Sequence, residues 1–350
     1  MSRRILLCLL TLTVGMLLAV PRYTLYDNVS CAACHVNPEG GGMRTSYANY
    51  RFDREEPLEI ELDQHLRFDA EARFYAMGSK VESEEKGNFT FSVMDYRLRL
   101  NPHYKDLIDA VFSVSRFGFD EASLRVWLPE DFYVRAGLYR PAFGMNEDDH
   151  ELSTKDPFGF DTLTWFETGL ELGWFNGDTH IALGAYNGGE DFLDITHGKA
   201  VSAYASQRLG PVYLGGSYWY EEEEDIVSGL FGTRWTADGF LMVDLPWNLG
   251  ILGEFLFHEE RKAGVYDYIA DYAYWMGLDA WIGPVELYAG YDAVTRASQD
   301  VGHGEALEHK YVTGRVIWHA MSFLDLELGT KIGLHDDPRE YLWFQLWSSF

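Results

Sequence analysis

The sequence predicts an all-β fold: a transmembrane antiparallel β-barrel of about sixteen strands, preceded by a short N-terminal segment of different character. Three observations predict it. Apolar and polar residues alternate from residue 58 onward, short turns alternate with longer connections, and aromatic residues make up 16% of the chain. These features are typical of sheets that face lipid on one side and a polar lumen on the other.

The first predicted strand shows the alternation over residues 62–76. Strands of soluble cores usually run ~3–10 residues, so a barrel wall explains this length better. One face carries Leu62, Leu66, Phe68, Ala70, Ala72, Phe74 and Ala76, and the other carries Asp63, His65, Arg67, Asp69, Glu71 and Arg73. The same pattern along the chain predicts a lipid-facing set that includes Leu66, Phe68, Leu170, Leu172, Phe255 and Leu326.

The connections predict the strand number. Seven short turns separate eight longer or more polar connections, which gives sixteen strands with both ends on the short-turn side. The turns are expected at residues 101–102, 129–131, 176–178, 210–211, 246–248, 283–284 and 319–322. The connections on the other side are expected at residues 78–88, 117–120, 139–160, 187–197, 221–229, 259–267, 294–308 and 333–339.

Composition excludes several other classes of protein. Hydrophobic residues reach 47% while the mean hydropathy is −0.20, as expected where apolar residues alternate with polar ones. A net charge of −27 argues against binding to nucleic acid or to an anionic lipid surface, and also against a basic lumen. No cysteine occurs after Cys34, so no disulfide framework supports the larger part of the chain.

The N-terminus predicts export. Arg3 and Arg4 precede an apolar stretch at residues 5–20, which is short for a transmembrane helix of ~20 residues and fits a signal peptide. Cleavage is expected at a site that the sequence does not place, and an uncleaved anchor is the alternative. We therefore divide the chain into a signal peptide (1–21), an attachment segment (22–57) and a barrel (58–350).

The attachment segment contains a motif that is typical of covalent cofactor attachment. Cys31-Ala32-Ala33-Cys34-His35 has the spacing at which two thiols reach the vinyl groups of one haem and the adjacent histidine becomes the proximal iron ligand. No second Cys-x-x-Cys is present to complete a zinc site of four cysteines. The sequence thus predicts one covalent haem c, bound by Cys31, Cys34 and His35.

Two residues, His65 and Met43, are candidates for the second axial ligand of the iron. His65 lies on the polar face of the first strand, soon after the attachment segment. Alternatively, His65 is an ordinary polar residue that faces the lumen. Met43 is the alternative, although it is only eight residues from His35 and the chain would have to wrap tightly around the haem edge. His180 and His319 also lie near the short-turn side.

Residues 31–44 (CAACHVNPEGGGMR) resemble the haem segment of bacterial outer-membrane porin-like cytochromes, in which one haem motif precedes a barrel. Residues 136–144 (AGLYRPAFG) are similar to a strand-to-loop element of phosphate-selective-porin-like proteins. The terminal Phe350 on an amphipathic strand resembles the insertion signal of outer-membrane proteins. The resemblance implies an outer-membrane location and an electron-transfer role, with the haem segment on the periplasmic side or in the lumen.

The leading hypothesis is therefore an outer-membrane monohaem cytochrome fused to a porin-like barrel that transfers electrons across or at the membrane. Its partners would be outer-membrane lipid, periplasmic cytochromes or other redox carriers, and an extracellular carrier on the far side. The alternative is a diffusion porin whose haem segment is a structural plug or redox gate. The sequence contains no hydrolytic motif, so we expect a non-enzymatic protein; a haem enzyme would need an open iron position.

Overall fold

A computed structural model describes residues 36–38, 61–63, 65–81, 87–105, 107–145, 160, 165–188, 198–225, 230–261, 269–296, 307–321, 324–334 and 339–349. Strands make up nearly all of these residues. Among them no helix is long and apolar enough to cross a membrane. The predicted signal peptide and the predicted boundary at residue 58 lie outside the described residues.

The strands follow one another in an antiparallel meander. Their bounds are β1 Glu61–Asp63, β2 Leu66–Val81, β3 Asn88–Tyr104, β4 Ile108–Ser115, β5 Gly118–Trp127, β6 Phe132–Tyr139, β7 Glu167–Phe175, β8 Thr179–Tyr186, β9 Ala200–Leu209, β10 Val212–Asp225, β11 Leu230–Leu245, β12 Leu249–Arg261, β13 Ile269–Ile282, β14 Val285–Arg296, β15 Leu307–Met321, β16 Leu324–Leu334 and β17 Arg339–Ser349.

The sheet closes on itself. Each strand from β2 to β17 pairs with the next, and β17 pairs with β2 from Arg339↔Val81 to Ser349↔Glu71. The short strand β1 adds only a local pairing with β2. Closure removes sheet edges, so the backbone N–H and C=O groups of the wall bond between strands. The predicted transmembrane barrel of sixteen strands is confirmed.

Most of the short turns lie where the sequence predicts them. Gly210 and Gly283, both at φ 61°, form tight links between neighbouring strands, and Trp247 and Asn248 at φ 70° and 58° form another. Left-handed backbone of this kind matches the right-handed twist of the strands that it joins. A short 3-10 turn at Pro129–Asp131 links β5 to β6.

Two turn predictions are wrong in position. Residues 101–102 lie inside β3, and the link to β4 comes after Tyr104, where Lys105 has φ 50°. Asn-Pro is a typical turn signal, but here the Asn101 side chain donates from Nδ2 to the carbonyl of Ala110, 2.7 Å away. Because Leu100 pairs with Phe112 and His103 pairs with Asp109, Pro102 falls across from Ala110, and the asparagine supplies the donor that proline lacks. Strand β15 likewise continues to Met321, which leaves residues 319–321 within the strand.

The outer face is apolar, as the alternation predicts. Leu170, Leu172 and Phe255 are about half exposed, at 55%, 50% and 49%. Leu66, Phe68 and Leu326 are partly buried and alternate with the inward side chains Asp69 and Glu327. An exposed apolar belt around a closed sheet is suited to lipid.

The inner face is filled on one side of the barrel. Two clusters of buried side chains are formed by β6, by β8 to β14 and by described residues between β6 and β7. Inward glycines provide the space: a Cβ on Gly184 would lie 2.1 Å from the Tyr186 hydroxyl, and one on Gly215 would lie 2.3 Å from the Phe240 ring. The clusters comprise Tyr139, Phe143, Phe160, Trp165, Tyr186, Ala200, Trp219, Leu256, Ala273 and Val294, and Ala142, Met145, Ala182, Tyr204, Phe240, Met242, Leu252 and Trp275.

Candidate functional site in the barrel lumen

An arginine-rich wall occupies the lumen side of β2 to β6. Its members are the buried arginines Arg73, Arg97, Arg99, Arg125 and Arg135. Strand alternation turns them inward, because the residues between them on the same strands face outward. These arginines are interleaved with buried carboxylates, and among the described residues buried acidic side chains outnumber buried basic ones, so the described lumen as a whole is not basic.

Carboxylates on the same strands compensate three of these arginines. Arg99 donates from Nη1 to Asp69 Oδ1 (2.6 Å) and from Nη2 to Glu71 Oε2 (2.8 Å). Arg73 donates from Nε to Glu71 Oε1 (2.7 Å), and Arg97 Nε lies 3.1 Å from Asp95 Oδ2. Buried charges need such partners because burial removes their hydration. This part of the wall is therefore a closed ion-pair network.

The remaining two arginines hold the chain that follows the Cys-x-x-Cys-His motif. Arg125 donates from Nη1 to the carbonyl of Val36 at 2.8 Å, and Arg135 donates from Nη1 to Asn37 Oδ1 at 3.2 Å. Arg135 also donates from Nη2 to Glu121 Oε1 at 2.7 Å. These bonds join residues 89 and 98 positions apart. Residues 36–38 thus lie against the inner wall, and Val36 directly follows His35 in the chain.

Four of the predicted site residues, Cys31, Cys34, His35 and Met43, lie outside the described residues. The structure does describe His65, which directly precedes β2 at the short-turn rim and is exposed. Its ring lies 6.5 Å from that of His103 and 5.9 Å from that of Tyr104, measured between centroids. The predicted distal ligand is therefore at the rim that the sequence suggested, beside a second histidine.

His103 is the residue that sequence reasoning missed. The turn expected at residues 101–102 would end β3 before His103, whereas the observed strand extends through Tyr104. The backbone N–H of His103 donates to the carbonyl of His65 at 2.8 Å, so the two histidines lie opposite each other. The signal that could have revealed it is the alternation of Asp95, Arg97 and Arg99, which continues to residue 103.

Aromatic side chains surround the arginines that contact Val36 and Asn37. The Arg125 guanidinium carbon lies 5.6 Å from the centroid of the Trp127 ring and 5.4 Å from that of Tyr133. The Tyr133 hydroxyl donates to Glu171 Oε1 at 2.9 Å and lies 2.8 Å from His180 Nε2. His180 is near the short-turn side, as expected, but it is buried among these groups.

His319, the other histidine expected at this side, is held by carboxylates. Its Nδ1 lies 2.8 Å from Asp325 Oδ1, its Nε2 lies 3.5 Å from Glu286 Oε2, and its ring stacks on Trp281 with centroids 4.8 Å apart. Both ring nitrogens are therefore directed toward acidic side chains. In the part of the chain that the structure describes, no group of three or more His, Cys, Asp or Glu side chains could hold a metal ion.

The long connection between β6 and β7 enters the lumen at its described residues. The backbone N–H of Gly144 donates to Ser217 Oγ at 2.9 Å, and that of Met145 donates to Glu254 Oε1 at 2.7 Å. Phe143 stacks on Phe160 with centroids 4.3 Å apart, and Trp165 meets Trp219 at 5.1 Å. The connection thereby packs against β10 and β12 and helps to fill the interior.

Comparison with known proteins gives the fold. No protein-family model and no curated protein matches the chain. Among solved structures, it is similar to OmpT, an outer membrane protein of Vibrio cholerae (TM-score 0.64, 11% identity, covering 84% of this chain and 100% of that one). It is also similar to an anion-selective porin from Comamonas acidovorans (0.59, 12%, 81% and 99%) and to the outer membrane channel DcaP of Acinetobacter baumannii (0.59, 11%, 81% and 97%). These likenesses show an outer-membrane porin fold.

Proposed function

We propose that this chain is a bacterial outer-membrane barrel that carries one covalent haem c and transfers electrons at or across that membrane. Cys31 and Cys34 would hold the macrocycle, and His35 would be the proximal iron ligand. The observation that carries the proposal is the pair of bonds from Arg125 to Val36 and from Arg135 to Asn37, which ties the chain immediately after the motif to the lumen wall.

The lumen side chains near Val36 suit a haem. Guanidinium groups pair well with carboxylates such as the propionates of the macrocycle, and Arg125 and Arg135 are both buried there. Trp127 and Tyr133 provide apolar surface beside them, and burial of this kind tunes a haem's potential. When bound, haem c supplies a one-electron Fe(III)/Fe(II) couple. Arg125 and Arg135 would bind and orient its propionates, and Trp127 and Tyr133 would exclude water.

Aromatic packing on one side of the interior offers apolar surface that a bound macrocycle could use. Trp219, Leu256 and Trp343 point inward and are at most 1% exposed. Trp219 and Leu256 belong to the cluster that includes Phe143 of the β6–β7 connection. One haem does not span a hydrocarbon layer ~30 Å thick, so electrons would reach and leave it through periplasmic cytochromes or other carriers and an extracellular acceptor or donor.

The first test is haem attachment in the full-length protein. A denaturing gel stained for haem peroxidase activity should show a band at the full-length position. The Cys31→Ser, Cys34→Ser double variant should lose it, because both thioether bonds are removed. A wild-type band without haem, or an equally stained double variant, contradicts the proposal.

The second test is electron transfer through the membrane. Liposomes containing the protein and an internal redox dye should respond to an impermeant external reductant faster than liposomes containing the double variant. Added periplasmic-type cytochrome should increase the difference, since a single haem is an incomplete route. Equal rates for both proteins contradict an electron-transfer role.

The second candidate function is a diffusion porin whose haem segment is a structural plug or a redox gate. Its support is the likeness to OmpT, the anion-selective porin and DcaP, together with contacts that hold residues 36–38 inside the barrel. Planar-bilayer conductance distinguishes the two functions. Substantial conductance, combined with no electron transfer in liposomes, supports the porin; a conductance that changes on haem reduction supports the gate.

A further inference from the structure

We propose that His103 is the distal axial ligand of the haem iron. The inference rests on the proposed function, because it requires haem at Cys31, Cys34 and His35. It differs from the sequence-based candidates His65 and Met43, and it follows from the strand register and hydrogen bonding at the short-turn rim.

The register places His103 near the attachment segment. His103 pairs with Asp109 on β4, and Asp109 pairs with Arg125 on β5. These three residues lie in one row across adjacent strands. With a strand spacing of ~4.8 Å, the Cα atoms of His103 and Arg125 are about 10 Å apart. Since Arg125 binds the carbonyl of Val36, the residue next to His35, the row brings His103 to the same part of the lumen.

The His103 ring is oriented for ligation. Its Nδ1 lies 3.3 Å from the carbonyl of Asn101, to which Nδ1–H can donate. That bond selects the tautomer whose Nε2 lone pair is available, which is the usual arrangement for a metal-binding histidine. Asn101 is itself fixed by its bond to Ala110, so the supporting carbonyl is rigidly placed.

The surrounding charges leave the ring available. Asp109 faces the same row, but it accepts a hydrogen bond from Trp127 Nε1 (3.1 Å) and lies 3.9 Å from Arg125 Nε. Within the described part of the chain, the carbonyl of Asn101 is the one hydrogen-bond partner of the His103 ring. His103 is also partly buried, so an iron ligand there would be shielded from solvent.

The other histidines at this side are less suitable. His180 and His319 are held by Tyr133 and by Asp325 and Glu286, as described above. His65 is one strand farther from Arg125 than His103, is exposed, and among the described residues contacts only the His103 and Tyr104 rings through its side chain. Among the residues that the structure describes, no carbonyl partner sets the tautomer of His65.

The test uses absorption and electron paramagnetic resonance spectra of full-length protein that has been checked for haem by peroxidase stain. Wild-type protein should be low-spin and should not bind carbon monoxide. His103→Ala should convert the iron toward high spin, gain carbon monoxide binding and return to low spin with added imidazole. The matched variant His65→Ala should retain the wild-type spectrum.

A second variant guards against misfolding. His103→Met should fold and keep a low-spin iron while gaining a methionine–iron charge-transfer band and a higher potential, since methionine ligation raises the potential. The inference is overturned if His65→Ala alone gives the high-spin form, if wild-type protein already shows the methionine band expected for Met43, or if wild-type protein binds carbon monoxide. Absence of stainable haem overturns the proposed function itself.

Discussion

Asn101-Pro102 is a sequence typical of turns, yet β3 continues through it because of one side chain. Proline removes a ladder donor, and an unsatisfied carbonyl in a membrane wall is costly. The bond from Asn101 Nδ2 to the Ala110 carbonyl compensates for that loss. The strand therefore continues to Tyr104 and carries His103 into the barrel wall.

We predict that Asn101→Ala destabilises the barrel by ~1–3 kcal/mol, because the Ala110 carbonyl loses its donor. The measurement is the urea midpoint of unfolding in lipid vesicles. Asn88→Ala, at the exposed opposite end of the same strand, is the control and should change the midpoint little. Equal midpoints for Asn101→Ala and wild type would show that the side-chain bond is not needed.

Gly173 gives a second prediction at the residue scale. A Cβ there would lie 2.1 Å from Cζ of Tyr133, so Gly173→Ala must displace the ring from Glu171 and His180. Overpacking of this kind costs ~1–3 kcal/mol. Gly239→Ala is the matched control, since nothing lies within 4 Å of the added atom. The same unfolding assay applies, and equal effects of the two variants would contradict the close packing of Tyr133.

The β6–β7 connection shows how one element fills the lumen. Its backbone is anchored at Gly144 and Met145 by side chains from two different strands. The Glu254 carboxylate serves two groups, since Oε2 also accepts from Trp275 Nε1 at 2.9 Å. These anchors bind main-chain N–H groups, so they depend little on which side chains the connection carries.

We predict that the Ser217→Ala, Glu254→Ala double variant makes residues 140–166 more sensitive to protease. Removal of both acceptors leaves two backbone donors without their partners, which favours release of the connection. Limited proteolysis of intact, vesicle-embedded protein followed by mass spectrometry measures the effect. Glu222→Ala, an exposed site on the same strand as Ser217, is the control. Cleavage at the wild-type rate would show that aromatic packing alone holds the connection.

At the scale of the whole molecule, the cost of placing a charge on the apolar outer belt should depend on its depth in the membrane. Leu172 lies well within β7 and Leu209 is the last residue of β9, and both are exposed. We predict that Leu172→Arg costs ~2–4 kcal/mol and Leu209→Arg ~0–1 kcal/mol, because a cation is most costly at the bilayer midplane. Unfolding from vesicles measures both. Similar costs at the two positions would contradict the proposed membrane crossing.

The net charge of the chain does not show how charges are grouped within the lumen. A chain with a net charge of −27 gathers five buried arginines in one sector, because carboxylates such as Glu71 lie on the same strands and compensate them. Other carboxylates accept indole N–H groups, as Glu327 does from Trp343 at 2.9 Å. The local pairing of charges, rather than their sum, determines the interior.

The sequence by itself determined the all-β class, the strand number, most turn positions and the outward face. Those properties depend on neighbours in the chain: alternation places each side chain on one face, and short turns join adjacent strands. The Cys-x-x-Cys-His motif is local in the same way, which is why it predicts haem attachment without a fold.

Only the tertiary structure decided which inward residues meet. His65 and His103 become neighbours through the β2–β3 register. The turn expected at residues 101–102 follows Tyr104 instead, so His103 lies within β3. Arg125 and Arg135 reach Val36 and Asn37 from positions 89 and 98 residues away. Such contacts depend on barrel closure and on the height at which each strand crosses the wall, and neither is encoded in any short stretch of the chain.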